Sequence, residues 1–227
     1  MAITRFLAKR ISNYHNPHSV GSSLRRKRAA TLKAMIEEIY SKKGLVRIID
    51  VGGTRRYWNI IESDYLASKN CQITLVNFTK SDDPEDSVFR EVIGDGRHLD
   101  VEDYSFDIAH SNSVIEHVGS WDDMLLFSKE IARVSKNYFV QTPSFWFPIE
   151  PHAMFPFFHW LPVPLRKMIV TRYAIGHWEK ATSNDKAASI VSSASLLKKY
   201  QMKLLFPEAV IKTEWLLFPK SYIAIKT

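Results

Sequence analysis

Polar residues that could bind a ligand follow short apolar runs at four places in this sequence. The first is Asp50, which comes after the mostly apolar run Leu45–Ile49 and just before Gly52 and Gly53. An acidic residue at the carboxyl end of a strand, followed by glycines, lets the backbone turn tightly and approach a ligand closely. We therefore expect Asp50 to accept hydrogen bonds from a ligand that also faces the N–H groups of the next helix.

The other three places have the same position relative to a predicted strand. They are Asn77, the pair Asp95-Gly96, and the pair Ser111-Asn112. The carboxyl ends of parallel strands meet at one edge of a sheet, and ligands bind there, near the point where the strand order reverses. The sequence therefore predicts a single binding site that uses all four places.

Strand and helix patterns alternate from residue 46 to the end of the chain. The predicted strands are Val46–Val51, Gln72–Phe78, Ser87–Val92 continuing into Ile93, Phe106–Ser111, Asn137–Gln141, Lys203–Phe206 and Tyr222–Lys226. The predicted helices are Leu24–Tyr40, Tyr57–Lys69, Trp121–Val134 and Ser192–Tyr200. Alternation of this kind implies right-handed crossovers and an α/β fold with a mainly parallel sheet and helices on both faces.

The positive charge of the chain is concentrated near its start. Residues 1–47 contain eleven Lys and Arg against two Glu, whereas residues 48–227 contain twenty basic and twenty-two acidic residues. With 227 residues and 45% hydrophobic content, the chain can form one well-packed domain. We predict a basic helical extension over residues 1–44 and a domain over residues 45–227, with an aromatic lid insertion at about 144–182.

Neither a membrane span nor a secretory signal is predicted. The most apolar region, Phe145–Leu165, contains five prolines, which forbid a continuous membrane-spanning helix. Residues 1–11 are too short and too basic for a secretory signal, and Ile3–Ile11 fits a short amphipathic helix instead. The single cysteine, Cys71, excludes an internal disulfide framework and fits a reducing compartment. We predict a soluble, cytoplasmic protein.

The basic cluster Arg25-Arg26-Lys27-Arg28 opens the first predicted helix and has two interpretations. It can form a solvated face of the helix, or it can contact an anionic partner such as membrane headgroups or nucleic acid. Under the second interpretation, the cytoplasmic protein would also make peripheral contact with an anionic membrane through the basic N-terminal helices.

An ordered set of motifs resembles the class I S-adenosylmethionine-dependent methyltransferases. Ile48–Gly53 resembles their first motif, and Ile73–Asn77 their second strand, whose last residue contacts the cofactor ribose. Gly94-Asp95-Gly96 resembles the loop in which an Asp meets the adenine amino group, and Phe106–Val118 resembles the fourth strand and the turn after it. The ending Glu116-His117-Val118 is similar to small bacterial enzymes that methylate quinones, lipids and sugars. The segments Val140–Pro143, Pro148–His152 and Pro219–Ala224 are similar to parts of that subgroup.

This resemblance implies a fold, a cofactor and a set of binding residues. The fold is a Rossmann-like, doubly wound, mainly parallel seven-stranded sheet, and the cofactor is S-adenosyl-L-methionine. The implied cofactor-binding residues are Asp50, Gly52, Gly53, Asn77, Asp95, Gly96, Ser111 and Asn112.

Two departures from the family pattern bear on cofactor affinity. Asn77 stands where an acid is usual, so a charge-assisted bond to the ribose, roughly twice as strong as a neutral one, is lost. Arg55 and Arg56 stand where a further small residue is expected, and either could reach the cofactor carboxylate or crowd the pocket. A non-catalytic binding or scaffold relative of the same fold therefore remains an alternative.

The candidates for catalysis are His117, His152 and Glu150. Methyl transfer from a sulfonium requires alignment of the acceptor and often removal of a proton, and for an oxygen acceptor a histidine is the most economical base. Glu150 or Glu116 would orient a histidine or bind a substrate hydroxyl. Alternatively, Glu116 and His117 only brace the next helix, and His152 only packs beneath the lid. The four residues could in principle bind a metal, but nothing in the sequence fixes their geometry, and no metal is predicted.

The aromatic insertion indicates where the acceptor binds. Its seven Phe and Trp residues between positions 145 and 160 fit either a hydrophobic cap or a lid for a small-molecule, glycan or lipid-linked acceptor. Nucleic-acid methylation is the less favoured alternative, because no Asn-Pro-Pro-Tyr or Asp-Pro-Pro-Tyr tetrad is present. A nicotinamide-dependent oxidoreductase is disfavoured by the spacing of the glycines and by the absence of a Tyr-x-x-x-Lys pair after the fourth strand.

Overall fold

A computed structural model describes the backbone of residues 20–227 and the side chains of residues 24–227. The amphipathic helix predicted at Ile3–Ile11 lies outside the described residues. The strands are β1 Val46–Val51, β2 Cys71–Asn77, β3 Phe89–Ile93, β4 Ile108–Asn112, β5 Asn137–Pro143, β6 Ile149–Glu150, β7 Phe155–Pro156, β8 Val210–Trp215 and β9 Pro219–Lys226. The α-helices are α1 Val20–Lys43, α2 Arg55–Trp58, α3 Ser63–Ser68, α4 Trp121–Val134, α5 Val163–Arg172, α6 Asn184–Ser192 and α7 Lys199–Leu205.

Seven strands form one sheet in the order β3-β2-β1-β4-β5-β9-β8. The pairs among β3, β2, β1, β4 and β5 are all parallel, and β9 runs in the opposite direction to the other six strands, antiparallel to both β5 and β8. The strand order reverses between β1 and β4, so their carboxyl ends border the crevice where such sheets bind ligands. The predicted Rossmann-like, mainly parallel seven-stranded sheet is confirmed.

Helices cover both faces of the sheet, and neighbouring residues of β1 show the two sides. Ile48 packs in a core that includes residues of α1, α2 and α3, whereas Ile49 packs in a core that includes residues of α4 and α7. Successive strand residues point to opposite faces, so a strand buried on both sides is apolar almost throughout. This arrangement explains why β1 reads as a nearly continuous apolar run.

Helix α1 contributes directly to the core. Its residues Leu32, Met35 and Ile36 are buried against the sheet, at the helical spacing that the sequence indicated. Arg28 of the basic cluster is buried as well, so it does not belong to a solvated face. The division of the chain into an extension over residues 1–44 and a domain from residue 45 stays a prediction.

Three predicted elements differ in the structure. The helix predicted over Tyr57–Lys69 is two short helices, because the N–H groups of residues 59–61 bond to carbonyls three residues back and end α2 at Trp58. The helix predicted at Ser192–Tyr200 and the strand predicted at Lys203–Phe206 are wrong. That region contains α7, whose residues Met202 and Leu205 are buried at a helical spacing of three. The strand lies later, at β8.

The insertion at 144–182 has its own small core. It contains the β6–β7 hairpin, a 3-10 turn at Phe158–Trp160 and α5, and its apolar residues pack against α6. Phe158, Val170 and Ile175 are among the residues buried there. No helix in residues 20–227 is both long enough and apolar enough to cross a membrane.

Candidate functional site

The carboxylate of Asp50 lies beneath the loop that contains Gly52 and Gly53, the glycine loop, and is fully buried. Its Oδ2 accepts a hydrogen bond from Nε1 of Trp58 at 2.8 Å, and its Oδ1 is 2.7 Å from Nδ1 of His110. A Cβ atom at Gly53 would lie 1.7 Å from Oδ2, so only glycine fits over this carboxylate. Gly52 has a φ of +74°, which glycine adopts without strain. Asp50 therefore supports the loop from below, and both of its oxygens contact protein groups.

Two other predicted residues hold the strand ends together. Nδ2 of Asn77 donates to the carbonyl of Gly53 at 2.8 Å, which joins the end of β2 to the glycine loop. Oγ of Ser111 donates to the carbonyl of Val51 at 2.9 Å, and Ser111 is fully buried. These bonds fix the shape of the crevice between β1, β2 and β4.

Asn112 contacts Arg28, which was not predicted from the sequence to be a site residue. Its Oδ1 accepts a hydrogen bond from Nη1 of Arg28 at 3.0 Å. Arg28 also donates from Nε to Oε1 of Glu214 at 2.9 Å, which joins α1 to β8. A buried arginine inside a run of four basic residues has no distinguishing signal in the sequence, so only the packing of α1 reveals it.

Asp95 and Gly96 lie beyond the end of β3, beside the same crevice. The hydrogen bonds from the Arg97 guanidinium lower the pKa of the Asp95 carboxyl, which is one-third exposed. Arg97 also pairs with Asp123 at 2.8 Å, so the loop is fixed to the start of α4. A Cβ atom at Gly96 would lie 2.6 Å from Val51, and the absence of a side chain there lets the loop approach β1.

Exposed apolar side chains at the ends of β2 and β3 complete the features suited to the cofactor. Phe78, which follows the buried strand β2, is 72% exposed, and Ile93, the last residue of β3, is 63% exposed. An adenine ring needs such apolar faces together with an acceptor, here the Asp95 carboxylate. The residues around the crevice thus fit S-adenosylmethionine. Arg55 is directed away, because it pairs with Asp86 and lies over the ring of Phe89.

The candidate catalytic residues meet on the other side of β4. Nε2 of His117 and Nε2 of His152 are 3.1 Å apart, and the two rings are nearly perpendicular. Nδ1 of His117 lies 2.6 Å from the carbonyl oxygen of Ser193, and Nδ1 of His152 lies 2.7 Å from Oε1 of Glu150. Both imidazoles are therefore held in fixed orientations with their Nε2 atoms converging. Burial alone would lower the pKa of His152, but the bond to Glu150 outweighs it and raises that pKa.

Glu116 belongs to the same cluster and is 1% exposed. Its Oε2 accepts a hydrogen bond from Oγ1 of Thr142 at 2.9 Å. Within the described side chains, its Oε1 has no hydrogen-bond partner. Burial raises the pKa of the Glu116 carboxyl to about 7. The Glu-His dipeptide was visible in the sequence, but its burial was not.

A cavity of about 790 Å³ opens beside this cluster, under the insertion. Glu150, Phe145, Phe158 and Trp178 are among its lining residues, together with Arg166. Burial lowers the pKa of the Arg166 guanidinium, and no group among the described residues bonds to its Nε. The cavity has the size and the mainly apolar walls of a site for a small organic ligand.

Comparison with known proteins is consistent with this geometry. Residues 60–138 match the model of a family described as a methyltransferase domain. The sequence matches no curated protein. Among solved structures, the PH0226 protein from Pyrococcus horikoshii OT3 is 15% identical, with a TM-score of 0.51 and 94% of each chain covered.

Two further solved structures are more distant. Magnesium protoporphyrin IX methyltransferase from Synechocystis PCC 6803, with bound SAH, is 9% identical with a TM-score of 0.47, covering 100% of this chain and 94% of that one. The 1,6-didemethyltoxoflavin-N1-methyltransferase from Burkholderia thailandensis is 13% identical with a TM-score of 0.46, covering 100% and 89%.

The matched segment runs from the turn between α2 and α3 to the first residues of β5, and so includes the ends of β2, β3 and β4 that border the crevice. The protein is an S-adenosylmethionine-dependent methyltransferase, and S-adenosyl-L-methionine is its cofactor.

Proposed function

We propose that the protein methylates a hydroxyl oxygen of a small-molecule, glycan or lipid-linked acceptor bound in the cavity under the insertion. The observation that carries this proposal is the convergence of His117 and His152 beside the end of β4, with Glu150 holding His152. Glu150 lines the cavity and bonds to His152, and His117 follows β4, whose carboxyl end borders the crevice. Asp50, Gly52, Gly53, Asn77, Asp95, Gly96, Ser111 and Asn112 form or support the cofactor crevice in this proposal.

When bound, the cofactor would supply an activated methyl group carried on a sulfonium sulfur. The remainder of the cofactor would be the leaving group, a neutral thioether. The S–CH₃ bond breaks while the O–CH₃ bond forms, and the hydroxyl proton must leave the acceptor. His117 and His152 hold the acceptor hydroxyl in line with the methyl group and remove that proton. Glu150 positions His152 for this role. The aromatic walls of the insertion exclude water from the reacting atoms.

The cavity walls support an acceptor that combines an apolar body with a polar or anionic group. Phe145, Phe158 and Trp178 offer flat apolar surfaces, and the Arg166 guanidinium, which also lines the cavity, offers N–H donors for an anion or a hydroxyl. A quinol, a glycan face or the head of a lipid-linked acceptor meets these requirements.

An exposed apolar hairpin tip supports the lipid-linked form of the acceptor. Trp215, Leu216, Leu217 and Phe218 join β8 to β9, and Leu217 is 88% exposed. Their exposure suits insertion into a membrane interface, and Arg28 of the basic helix α1 bonds to Glu214 at the end of β8 next to this tip. Flotation with anionic liposomes at low salt tests this step. Recovery of the protein in the lipid fraction, lost after Leu217→Ser, is expected, whereas a wholly soluble protein would exclude the membrane contact.

The methyl transfer is tested with labelled S-adenosylmethionine and a cell extract separated into small-molecule, glycan, lipid and nucleic-acid fractions. His117→Ala and His152→Ala should each lower the transfer of label by about 10²–10⁴-fold while leaving the Kd for S-adenosylmethionine unchanged. His177→Ala is the matched control, because His177 is an exposed histidine of the same insertion. Undiminished transfer by both cluster variants would refute the assignment. Label in nucleic acid alone would refute the acceptor class, and bound cofactor without transfer would favour the scaffold alternative.

A further inference from the structure

We propose that Glu116, His117 and His152 together bind a divalent transition-metal ion. The proton positions of the two imidazoles give the first argument. The Ser193 carbonyl can only accept a hydrogen bond, so Nδ1 of His117 carries its proton. The Glu150 carboxylate accepts from Nδ1 of His152, while its Oε2 accepts from the backbone N–H groups of His152 and Ala153. In the neutral form of either ring, Nε2 therefore presents a lone pair.

The two Nε2 atoms face each other at 3.1 Å. Two lone pairs at this distance repel, and the arrangement is stable only when a proton or a cation lies between them. A zinc–imidazole bond is about 2.0–2.1 Å long, so two imidazole nitrogens on one ion lie roughly 2.8–3.4 Å apart for bond angles of about 90–110°. The observed separation falls within this range, and it is also that of an N–H···N hydrogen bond, so the third ligand is what distinguishes an ion from a proton.

Glu116 supplies the third ligand and an independent observation. One ligand atom from each of the three residues lies within 4.8 Å of the others. Glu116 is 1% exposed, and no described residue bonds to its Oε1. A buried carboxylate oxygen without a partner is costly unless a cation approaches it. Thr142 holds the other oxygen, which fixes the orientation of the carboxylate toward the imidazoles.

The surroundings of the cluster are those of a metal site. Histidines that ligate metals donate their second ring N–H to a carboxylate or a backbone carbonyl, and here Glu150 and Ser193 accept those bonds. Two histidines and one glutamate form a donor set that suits Zn²⁺ and also Fe²⁺, Mn²⁺ or Co²⁺ with open positions. His152 also stacks on Trp178, which lines the cavity, so an ion bound by His152 would lie close to the cavity.

The role of the ion rests on the proposed function, although its binding does not. A hydroxyl oxygen bound to the ion would have a lowered pKa and would lose its proton at neutral pH. The imidazoles then serve as ligands and do not themselves take the proton. Methyl transfer measured with and without the ion therefore distinguishes two routes of deprotonation. In one, a histidine takes the proton, and in the other, a hydroxyl bound to the ion loses it.

Metal binding to the full-length chain is the test, and it requires neither cofactor nor acceptor. Protein stripped with EDTA and dialysed is titrated with Zn²⁺ by calorimetry and with Co²⁺ by visible absorption. We expect one ion per chain and the d–d bands of Co²⁺ coordinated by nitrogen and oxygen. Glu116→Gln, His117→Ala and His152→Ala should each weaken binding by at least about 100-fold, and Glu150→Gln by about 10–100-fold.

His177→Ala is again the control and should bind the ion as the unchanged protein does. Far-ultraviolet circular dichroism establishes that each variant is folded, and the nearly isosteric Glu116→Gln keeps the test valid if a histidine variant unfolds. Absence of Zn²⁺ and Co²⁺ binding by the folded protein would overturn the proposal. Binding that survives all three ligand substitutions would overturn it as well. Methyl transfer by the stripped protein, measured separately, decides the role of the ion and leaves the methyltransferase assignment intact.

Discussion

Replacing Asp50 by alanine should destabilise the whole domain and should not act on cofactor binding alone. The carboxylate is fully buried and bonds to Trp58 and His110, which are buried as well. Removing it leaves two buried polar groups without their partner. Hydrogen bonds to a charged group contribute about 1.5–3 kcal/mol each, so the expected loss is about 4 kcal/mol. Since domains are stable by only about 5–15 kcal/mol, this loss is a large share of the total.

Urea unfolding followed by tryptophan fluorescence measures this loss. With a slope of about 2 kcal/mol per M, a loss of about 4 kcal/mol lowers the unfolding midpoint by roughly 2 M. Trp58→Phe removes one of the two bonds and should produce an intermediate shift. Asp95→Ala is the comparison, because Asp95 is partly exposed and pairs with Arg97, so its ion pair contributes about 0–1 kcal/mol. Asp95→Ala should weaken cofactor binding with little change in midpoint. An Asp50→Ala midpoint within about 0.5 M of the unchanged protein would refute the argument.

Two further predictions follow from buried contacts elsewhere in the domain. Gly53→Ala should lower the unfolding midpoint far more than Gly44→Ala, because the new Cβ at Gly53 would overlap the Asp50 carboxylate. A Cβ at Gly44 would meet nothing within 4 Å, so that substitution costs only the backbone strain of a φ of +69°. Equal midpoints for the two variants would contradict the close approach of Gly53 to that carboxylate. Burial alone would raise the pKa of Glu214, but the pairing with Arg28 outweighs the effect of burial and lowers that pKa. The ion pair therefore stabilises the fold at pH values above the ordinary carboxyl range, and this stabilisation is lost as the pH falls through the lowered pKa of Glu214. The free energy of unfolding of Arg28→Met should therefore lie well below that of the unchanged protein near pH 7, and the difference should shrink only as the pH falls below the ordinary glutamate pKa of about 4.3. A difference that is constant with pH would exclude the ion pair as its source.

The sequence by itself determined the inner strands of the sheet and the polar residues at their carboxyl ends. Strands β1 and β2 are buried on both faces, so their apolar runs are long enough to be recognised without an alignment. The glycines after β1 also have a local signature, because positive φ and close approach leave few other choices. Polar residues at the strand ends could therefore be assigned to one edge of the sheet.

The edge of the sheet was harder to predict, for a physical reason. Strand β8 pairs only with β9 and has no fully buried residue, so its sequence lacks the apolar pattern of an inner strand. The neighbouring helix α7 is short, and its residues Met202 and Leu205 fit a strand or a helix about equally well in isolation. Packing against the core settles that choice, and local propensity does not.

Only the tertiary structure decided what each polar residue contacts. Asp50 was expected to face a ligand, but the fold directs its carboxylate to Trp58 and His110. His117 and His152 are 35 positions apart, and their meeting depends on how the insertion folds back over β4. Residue types and spacing fix which backbone turns are possible, because those depend on local sterics. The partners of a side chain depend on contacts between distant segments, which form only when the whole sheet and its insertion are packed together.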